Sequence, residues 1–269
     1  MPGQLAKAPL VEALLEIRWK LVPIGPNTFQ DPVYKFLVGR FYDRIRERFG
    51  HVETLPIAQV PDEITPYMVK QQFRVAKNGW PLVQLGPGIA TLNFTSPYSW
   101  LTFEETSKFV FPKLADAYAG ISSGGTDTKL IITRILLRYI NAITMNWLET
   151  DALSFLESNL HTTFGLPHEI TQAEVLTGLP GDLNLQIGYS LQKPIGRGLV
   201  RFATGRTGNR QALICELVVQ SQGEDIPQLS AAETFWSWVR SAHDDVIEKW
   251  FFALIKGRLE EQFKGEQAK

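Results

Sequence analysis

The run His243-Asp244-Asp245 holds the residue types best suited to chemistry in this sequence, because an imidazole beside two carboxylates can bind a metal ion or transfer a proton. The run lies in a predicted helix, where adjacent side chains point about 100° apart. Helical metal ligands are normally spaced i and i+3 or i+4. On this helix Asp244 is expected to pair with Arg240, and Asp245 with Lys249. We therefore interpret the run as part of a solvent-exposed face and predict no catalytic residue and no metal ligand.

Arginines form the second group of candidate functional residues. In RILLRYINAI, residues 134–143, strand alternation places two arginines on one face, and in ALLEIRWK, residues 13–20, it places one arginine on a face with Glu16 and Lys20. A stretch from 193 to 210 carries five positive residues and no acidic one. Arginine forms bidentate hydrogen bonds with phosphates and carboxylates, so a phosphate, a partner's carboxylate and an internal glutamate such as Glu16 all stay open as its ligand. The predicted binding residues are Arg18, Arg134, Arg138, Arg197, Arg201, Arg206 and Arg210.

Common enzyme motifs are missing from the sequence. It contains no Gly-x-Ser-x-Gly elbow, no phosphate-binding Gly-x-x-x-x-Gly-Lys-Ser/Thr loop, no His-Glu-x-x-His and no Cys-x-x-Cys. The single cysteine, Cys215, lies in the apolar run ALICELVV and is expected to be a buried, inert thiol. An enzyme of another class stays as an alternative, and it would need a pocket that joins His243, Asp244 and Arg138. No cofactor is predicted.

Composition and charge describe an ordinary folded protein. The chain has 269 residues, 44% of them hydrophobic, and a formal net charge of −1. This balance gives no overall field that would attract nucleic acid or an anionic membrane. No stretch approaches the roughly 18 apolar residues that a membrane span needs. One cysteine excludes an intramolecular disulfide, which is typical of a reducing compartment. We predict a cytoplasmic protein without a membrane partner.

The first half of the chain alternates strand and helix signals. Residues 9–20 alternate as a half-buried strand, and Asp31-Pro32 is a cap and first-turn pair for an amphipathic helix. Four short strands are predicted between 51 and 95, with Asn78-Gly79 as the clearest hairpin turn. A helix then begins near Ser99, with Pro112 expected to kink or divide it.

The same order recurs beyond a predicted linker at 122–128, SSGGTDT. A strand at 129–145, a helix at 151–164, extended segments near 168–177, 183–192, 198–204 and 211–220, and a long helix from about Ser230 complete the second half. The segment IRW at 17–19 matches LRY at 137–139, with an offset of 120 residues. Two further short matches have offsets of 115 and 128 residues. We predict a duplicated β-α-β4-α unit with halves 1–121 and 129–269, although an unrelated α+β protein of this length can show a similar element order.

Such an α+β unit resembles the architecture of the TATA-binding-protein-like and helix-grip folds. That resemblance implies a pseudo-twofold arrangement of antiparallel sheets with helices on one face, so that the other face is free to bind. The predicted arginines of the two opening strands would then occupy equivalent positions on this free face.

Four segments also resemble a sporadically distributed bacterial and archaeal family of about 250–270 residues without an established activity. They are KAPLVEALLEIRW, RILLRYINAI, LPGDLNLQIGYSL and AHDDVIEKWFFALI. The resemblance covers the chain from end to end. Its sporadic distribution implies a regulatory or antiviral defence setting, including genes that accompany CRISPR systems.

The last predicted helix holds more aromatic area than one core stripe needs. Surplus aromatics of this kind anchor protein interfaces, unless both sides of the helix are buried within the monomer. We therefore predict a non-enzymatic binding or adaptor protein with a protein partner, and a homodimer is one such assembly. A nucleic-acid binder that uses the sheet face and the 193–210 hairpin is the alternative. The candidate interface residues are Trp236, Trp238, Trp250 and Phe252.

Overall fold

A computed structural model describes residues 5–120, 122–123, 126–127, 129–144, 151–171, 182–223 and 226–265. The strands are β1 (Leu10–Trp19), β2 (Val22–Gly25), β3 (Thr28–Gln30), β4 (His51–Thr54), β5 (Gln71–Arg74), β6 (Leu82–Gly86), β7 (Ile89–Phe94), β8 (Ser122–Ser123), β9 (Thr126–Asp127), β10 (Ile132–Thr144), β11 (Asn184–Gln192), β12 (Ile195–Thr207) and β13 (Arg210–Gln222). The helices are α1 (Tyr34–Ile45), α2 (Trp100–Tyr118), α3 (Ala152–Leu160), α4 (His168–Thr171), α5 (Ala232–Ser241), α6 (Glu248–Ile255) and α7 (Arg258–Lys264), with a π-helical turn at Ala242–Ile247 between α5 and α6.

A nine-stranded antiparallel sheet organises the molecule and confirms the predicted α+β class. Its strand order is β11-β12-β13-β10-β1-β7-β6-β5-β4. The two long alternating segments of the sequence, β1 and β10, pair at its centre, with Leu15 opposite Leu137 and Ile17 opposite Ile135. The two halves of the chain therefore share one continuous sheet.

The two faces of this sheet have different neighbours. Alternate residues of β1 from Ala13 to Trp19 are buried in the same apolar core as the buried residues of the helices. The intervening positions point the other way, where Leu14, Leu136 and Val218 form a small separate cluster with Leu199. Because this second cluster contains strand residues only, the helices cover the face that carries the main core.

Asp31 ties four elements of the first half together. Its buried carboxylate accepts hydrogen bonds from the indole N–H of Trp19 (2.8 Å), the backbone N–H of Val33 (3.1 Å), the backbone N–H of Gly88 (3.2 Å) and the hydroxyl of Tyr118 (3.3 Å). Burial raises the pKa of the Asp31 carboxyl, and these four donors oppose that shift. Asp31 is thus a junction between β1, the start of α1, the β6–β7 turn and α2.

Several local predictions differ from the structure. The predicted strand at 51–60 ends after four residues, and 3₁₀ turns follow at Pro56–Gln59 and Asp62–Ile64. Asn78-Gly79 does lie between paired strands, but seven residues, 75–81, separate β5 from β6 instead of a two-residue turn.

In the second half, residues 168–171 are helical instead of extended, and the rest of that predicted strand lies outside the described residues. Helix α2 continues through Pro112, so the predicted division of this helix is wrong, and the kink that was its alternative stays a prediction. Parts of the predicted linker 122–128 also lie outside the described residues, and the parts that are described form the short β8–β9 pair. Among the described helices, none is both long and apolar enough to cross a membrane.

Candidate functional site

A cavity of about 690 Å³ lies where the start of α2 meets the C-terminal helices. The N-terminal segment and β10 close its other sides. Apolar side chains line most of it, and a few polar groups converge at one end, which is the usual composition of a binding site. The lining residues that matter for its chemistry are Tyr98, Trp100, Leu101, Glu104, Tyr139, Arg240, His243, Asp244, Glu248, Phe251 and Phe252.

The π-helical turn at Ala242–Ile247 brings the polar end of the cavity together. The backbone N–H of Glu248 bonds to the carbonyl oxygen of His243, five residues earlier. This i to i+5 bond places residues five apart nearly one above the other, as the α-helical bond does for residues four apart. The ligand atoms of His243, Asp244 and Glu248 consequently lie within 4.8 Å of one another. The prediction that side chains diverge here assumed an α-helix and is wrong for His243 and Asp244.

His243 lies between a carboxylate and an indole. The side chain is buried, with 8% of the residue exposed. Its Nδ1 lies 2.6 Å from a carboxylate oxygen of Asp244, and its ring stacks on Trp100 with a centroid distance of 3.7 Å and an interplanar angle of 5°. Burial lowers the pKa of His243 below its ordinary value, while the hydrogen bond that His243 donates to Asp244 opposes that shift. The imidazole is therefore neutral at neutral pH.

Titration of His243 tests this environment. In NMR spectra recorded across the acid range, we expect its pKa to lie below the ordinary 6.5. In Asp244→Asn it should fall further, because Asp244 is the largest influence that raises it. Asp43→Asn, at an exposed position on α1, is the matched control and should leave the pKa of His243 unchanged. A pKa of 6.5 or above in the wild type would show that the ring is not buried as described.

Two tyrosines form the floor of the cavity beside this histidine. The hydroxyls of Tyr98 and Tyr139 form a short hydrogen bond, and the Tyr139 ring centroid lies 6.0 Å from that of His243. Burial raises the pKa of both hydroxyls, and the nearby Glu248 carboxylate adds to the shift. Both tyrosines therefore stay protonated and act as fixed polar groups.

The carboxylates of the cavity differ in how they are paired. Glu104 binds both Arg240 (2.5 Å) and Lys108 (2.8 Å), and these two cations help to lower its pKa. Arg240 is therefore used by Glu104 and not by Asp244, which corrects the expected Arg240–Asp244 pair. The side-chain carboxylate of Glu248 makes no hydrogen bond or ion pair with any residue in the described part of the chain.

The other expected pair of this helix is present. Lys249 Nζ lies 3.0 Å from Asp245, and Lys193 also approaches Asp245 at 3.4 Å. These two contacts, together with a hydrogen bond from Ser241, lower the pKa of Asp245 to about 2. Asp245 is thus a surface ion-pair residue and takes no part in the cavity, whereas its two preceding neighbours line it.

Five of the predicted binding arginines lie together on the sheet face opposite the helices, which we call the arginine face. They are Arg18, Arg134, Arg138, Arg197 and Arg201. Arg18 lies directly opposite Arg134 across the central strand pair, and the other three lie on β10 and β12 in positions of the same alternation. The shared face that the sequence predicts for Arg18, Arg134 and Arg138 is therefore present, and Arg197 and Arg201 of the 193–210 stretch extend it, at a site separate from the cavity.

Internal carboxylates hold three of these arginines. Arg18 Nε lies 2.7 Å from Glu16, Arg138 Nε lies 3.0 Å from Glu216, and Arg201 lies 3.7 Å from Glu216. All three arginine side chains are about one-third exposed. Of the three ligands considered for the arginines, a phosphate, a partner's carboxylate and an internal glutamate, the structure has an internal glutamate at these positions. These glutamates cancel much of the positive charge of the arginine face.

The remaining predicted arginines are differently placed. Arg134 donates to the side-chain oxygen of Gln220 (2.6 Å) and has no carboxylate partner among the described residues. Arg197 is exposed on β12. Arg206 and Arg210 are exposed at the end of the β12–β13 hairpin, where Arg206 has the opposite alternation to the arginine face. The seven predicted arginines therefore do not form one continuous patch.

The aromatic residues of the C-terminal helices are largely used by the fold. Trp238 is 6% exposed, and its indole N–H donates to the Ser221 hydroxyl (2.9 Å), so it belongs to the core. Trp236 and Trp250 are half-buried against the core. Phe252 lines the cavity. Burial within the monomer accounts for the surplus of aromatics on this helix, except at the cavity.

Sequence reasoning missed most of the cavity. Trp100, Tyr98 and Tyr139 were not predicted to be near His243, because they are distant in sequence and carry no motif. Glu248 is five residues from His243, a spacing that an α-helix would place on different faces. A π-helical turn has no reliable sequence signature, so only the histidine itself was a usable signal.

Comparison with known proteins gives no further guide. No protein-family model matches the chain, and no curated protein shows a significant match to it.

Proposed function

We propose that the protein is a non-enzymatic binding protein that recognises a protein partner through the cavity. The observation that carries the proposal is the continuity of the cavity with exposed apolar surface at its mouth. Leu101 lines the cavity and is 76% exposed. A large apolar side chain exposed at the mouth of an apolar cavity is typical of an interaction site.

The size and shape of the site favour a segment of a partner chain. The volume of about 690 Å³ lies within the range of about 300–1,000 Å³ that is common for ligand-binding cavities. Phe251 and Phe252 line it and are only half-buried, so apolar surface continues past the enclosed space. A partner chain covers such a rim as well as the interior, as interface anchors do.

An enzyme that uses the same cavity is less well supported. His243 and Asp244 form an oriented pair, as a general base would require. No described hydroxyl or thiol forms a hydrogen bond with His243, although Ser99 lines the cavity. Arg138 lies on the opposite face of β10 from Tyr139, so the enzyme site imagined from His243, Asp244 and Arg138 is not assembled.

Nucleic-acid binding by the arginine face is the second candidate function. The observation that favours it is the lack of an ion pair at Arg134 and at Arg197 among the described residues. The pairing of its other arginines with Glu16 and Glu216 weakens it, because a phosphate must then compete with an internal carboxylate. Failure of the wild type to bind single-stranded or duplex DNA and RNA at low salt would remove this candidate.

Gene duplication and the pseudo-twofold arrangement are also part of the proposal. From the centre of the sheet outward, the first half contributes β1, β7, β6, β5 and β4, and the second half contributes β10, β13, β12 and β11. In each half the first strand is therefore central, the last strand lies beside it, and the earlier strands follow in reverse order. The offset of 120 that relates IRW to LRY also relates Asp31 to Asp151. Both aspartates accept the backbone N–H two residues on, at 3.1 Å and 2.9 Å. These features support two equivalent units joined edge to edge, as in the TATA-binding-protein-like and helix-grip folds.

The regulatory or defence setting rests on the family resemblance alone and stays a prediction.

Selection of peptides tests partner binding directly. A phage library of random twelve-residue peptides would be panned against the immobilised wild type and against Leu101→Asp. We expect the wild type to enrich binding peptides and Leu101→Asp to bind them at least about ten-fold more weakly, because a buried anchor contact of this kind contributes about 1–2 kcal/mol or more.

Phe36→Asp is the matched control for this experiment. Phe36 is also a large exposed side chain, with 65% of the residue exposed, but it lies on α1 and does not line the cavity. We expect Phe36→Asp to bind the selected peptides as the wild type does. If the wild type enriches no peptide, or if Leu101→Asp binds the selected peptides equally well, the cavity is not a partner-binding site.

A further inference from the structure

We infer that the partner segment presents a lysine or arginine side chain to the polar end of the cavity, next to an apolar anchor, and that Glu248 is the main counter-charge for it. This inference rests on the proposed partner-binding function and adds the chemistry of the anchor. The arginine face would not select such a residue, because its own charge is positive.

Hydrogen-bonding capacity at the polar end is the first reason. Asp244 and Glu248 offer only acceptors when ionised. His243 is neutral, and with Nδ1 donating to Asp244 its Nε2 is an acceptor as well. Three acceptor groups within 4.8 Å of one another call for a ligand that offers only donors. Among protein side chains, lysine and arginine are the ones that carry a positive charge at neutral pH with donors and no acceptor.

Charge at the polar end is the second reason. Glu104 is already matched by Arg240 and Lys108, so it does not need a ligand cation. Asp244 is exposed and has only the neutral His243 as a close partner, whereas the half-buried side-chain carboxylate of Glu248 has no hydrogen bond or ion pair in the described part of the chain. An unpaired, half-buried carboxylate is unfavourable, and a bound cation would relieve this cost.

The walls of the cavity distinguish an organic cation from a bare metal ion. The three ligand atoms alone would suit a divalent cation. A metal ion would leave most of the 690 Å³ unfilled, including the space beside Phe251 and Phe252. Lysine and arginine carry aliphatic stems that pack on apolar walls, and arginine also stacks on aromatic rings. Their side chains therefore match both the polar end and the apolar walls of this cavity.

Two phage libraries test the inference. They are identical twelve-residue libraries, except that one omits lysine and arginine at every position. From the full library we expect the wild type to enrich peptides with a basic residue beside an aromatic or aliphatic one. From the library without basic residues we expect at least ten-fold fewer binding clones.

Variants of the polar end supply the second measurement. Glu248→Gln keeps the shape of the side chain and removes its charge, and it should weaken binding of the selected basic peptides at least about ten-fold, as loss of one partner of a desolvated charge pair does. Glu157→Gln is the matched control, because Glu157 is an exposed glutamate on α3 that does not line the cavity. Circular dichroism and thermal melting would verify that both variants fold like the wild type.

The outcomes separate the inference from the proposed function. Equal enrichment from both libraries, with binding still lost in Leu101→Asp, would overturn the basic anchor and leave partner binding intact. No enrichment from either library would overturn both. Calorimetric titration with zinc chloride adds a third arm: micromolar zinc binding that disappears in Glu248→Gln, without a preference for basic peptides, would identify the cluster as a metal site and overturn the inference.

Discussion

Asp31→Ala is expected to lower the free energy of unfolding by about 4–6 kcal/mol, the largest effect of any single polar substitution considered for this protein. The substitution leaves four buried donors without an acceptor: the indole of Trp19, the backbone N–H groups of Val33 and Gly88, and the hydroxyl of Tyr118. Each unsatisfied donor costs about 1–3 kcal/mol, and water that enters the site and accepts hydrogen bonds from these donors reduces the total.

Denaturation by urea at neutral pH measures this effect. Asp43→Ala is the matched control, because Asp43 lies exposed on α1 with only a distant pairing to Arg46 at 3.8 Å, and its loss should cost less than about 0.5 kcal/mol. The loss of unfolding free energy in Asp31→Asn should lie between the losses in Asp31→Ala and Asp43→Ala. The amide keeps one acceptor oxygen, but its NH₂ group faces donors. An Asp31→Ala protein within about 1 kcal/mol of the wild type would contradict the described junction.

The pH dependence of the wild type provides a second check on Asp31. Burial raises the pKa of this carboxyl in the folded state above the ordinary 3.8. The folded protein then binds a proton more tightly than the unfolded chain, so this residue makes stability fall as pH rises from 3.8 through the folded-state pKa. Asp31→Ala should lack this component of the pH profile.

Gly86→Ala is expected to cost about 3 kcal/mol or more in unfolding free energy. A Cβ atom at this position of β6 would overlap the carbonyl group of Met68 and lie 2.7 Å from its carbonyl carbon. The opposing backbone cannot withdraw freely, because Tyr67 N–H bonds to the Pro87 carbonyl (2.8 Å) and Lys70 N–H to the Leu85 carbonyl (2.9 Å). The clash must therefore break the contacts that hold residues 67–70 on the sheet.

Gly39→Ala gives this experiment a control of opposite sign. Gly39 lies within α1, and nothing lies within 4 Å of a Cβ placed on it. Alanine should stabilise the helix there by about 0.5–1 kcal/mol, since glycine loses more backbone entropy on folding. Thermal melts of the two variants should shift in opposite directions. Equal shifts would show that the close approach at Gly86 is not present in solution.

Much of the fold follows from local patterns. Alternation of apolar and polar residues predicted the central strands, because a strand with one buried face repeats every two residues. The amphipathic spacing of α1 and the glycines and prolines around β6 and β7 were equally informative. Prediction failed at 51–60 and 168–171, where short apolar runs fit a strand or a helical turn and packing decides between them.

The arginine face shows where local information ends. Alternation predicted that Arg134 and Arg138 share a face, and the sheet places them so. Which group each one binds depends on the strand beside it: Glu216 of β13 lies next to Arg138, whereas Gln220 lies next to Arg134. Strand order and register are long-range properties, so no local pattern distinguishes a paired arginine from a free one.

The candidate site divides in the same way. Local patterns were enough to place His243 and Asp244 next to each other on a helix with an apolar stripe, and Cys215 on a buried strand. The π turn in that helix, the stacking of Trp100 on His243 from another helix and the position of Glu248 beside them came from the packed fold. Side-chain chemistry and periodicity are local properties, whereas the wider helical turn and the contact between residues more than one hundred positions apart depend on how the whole core packs.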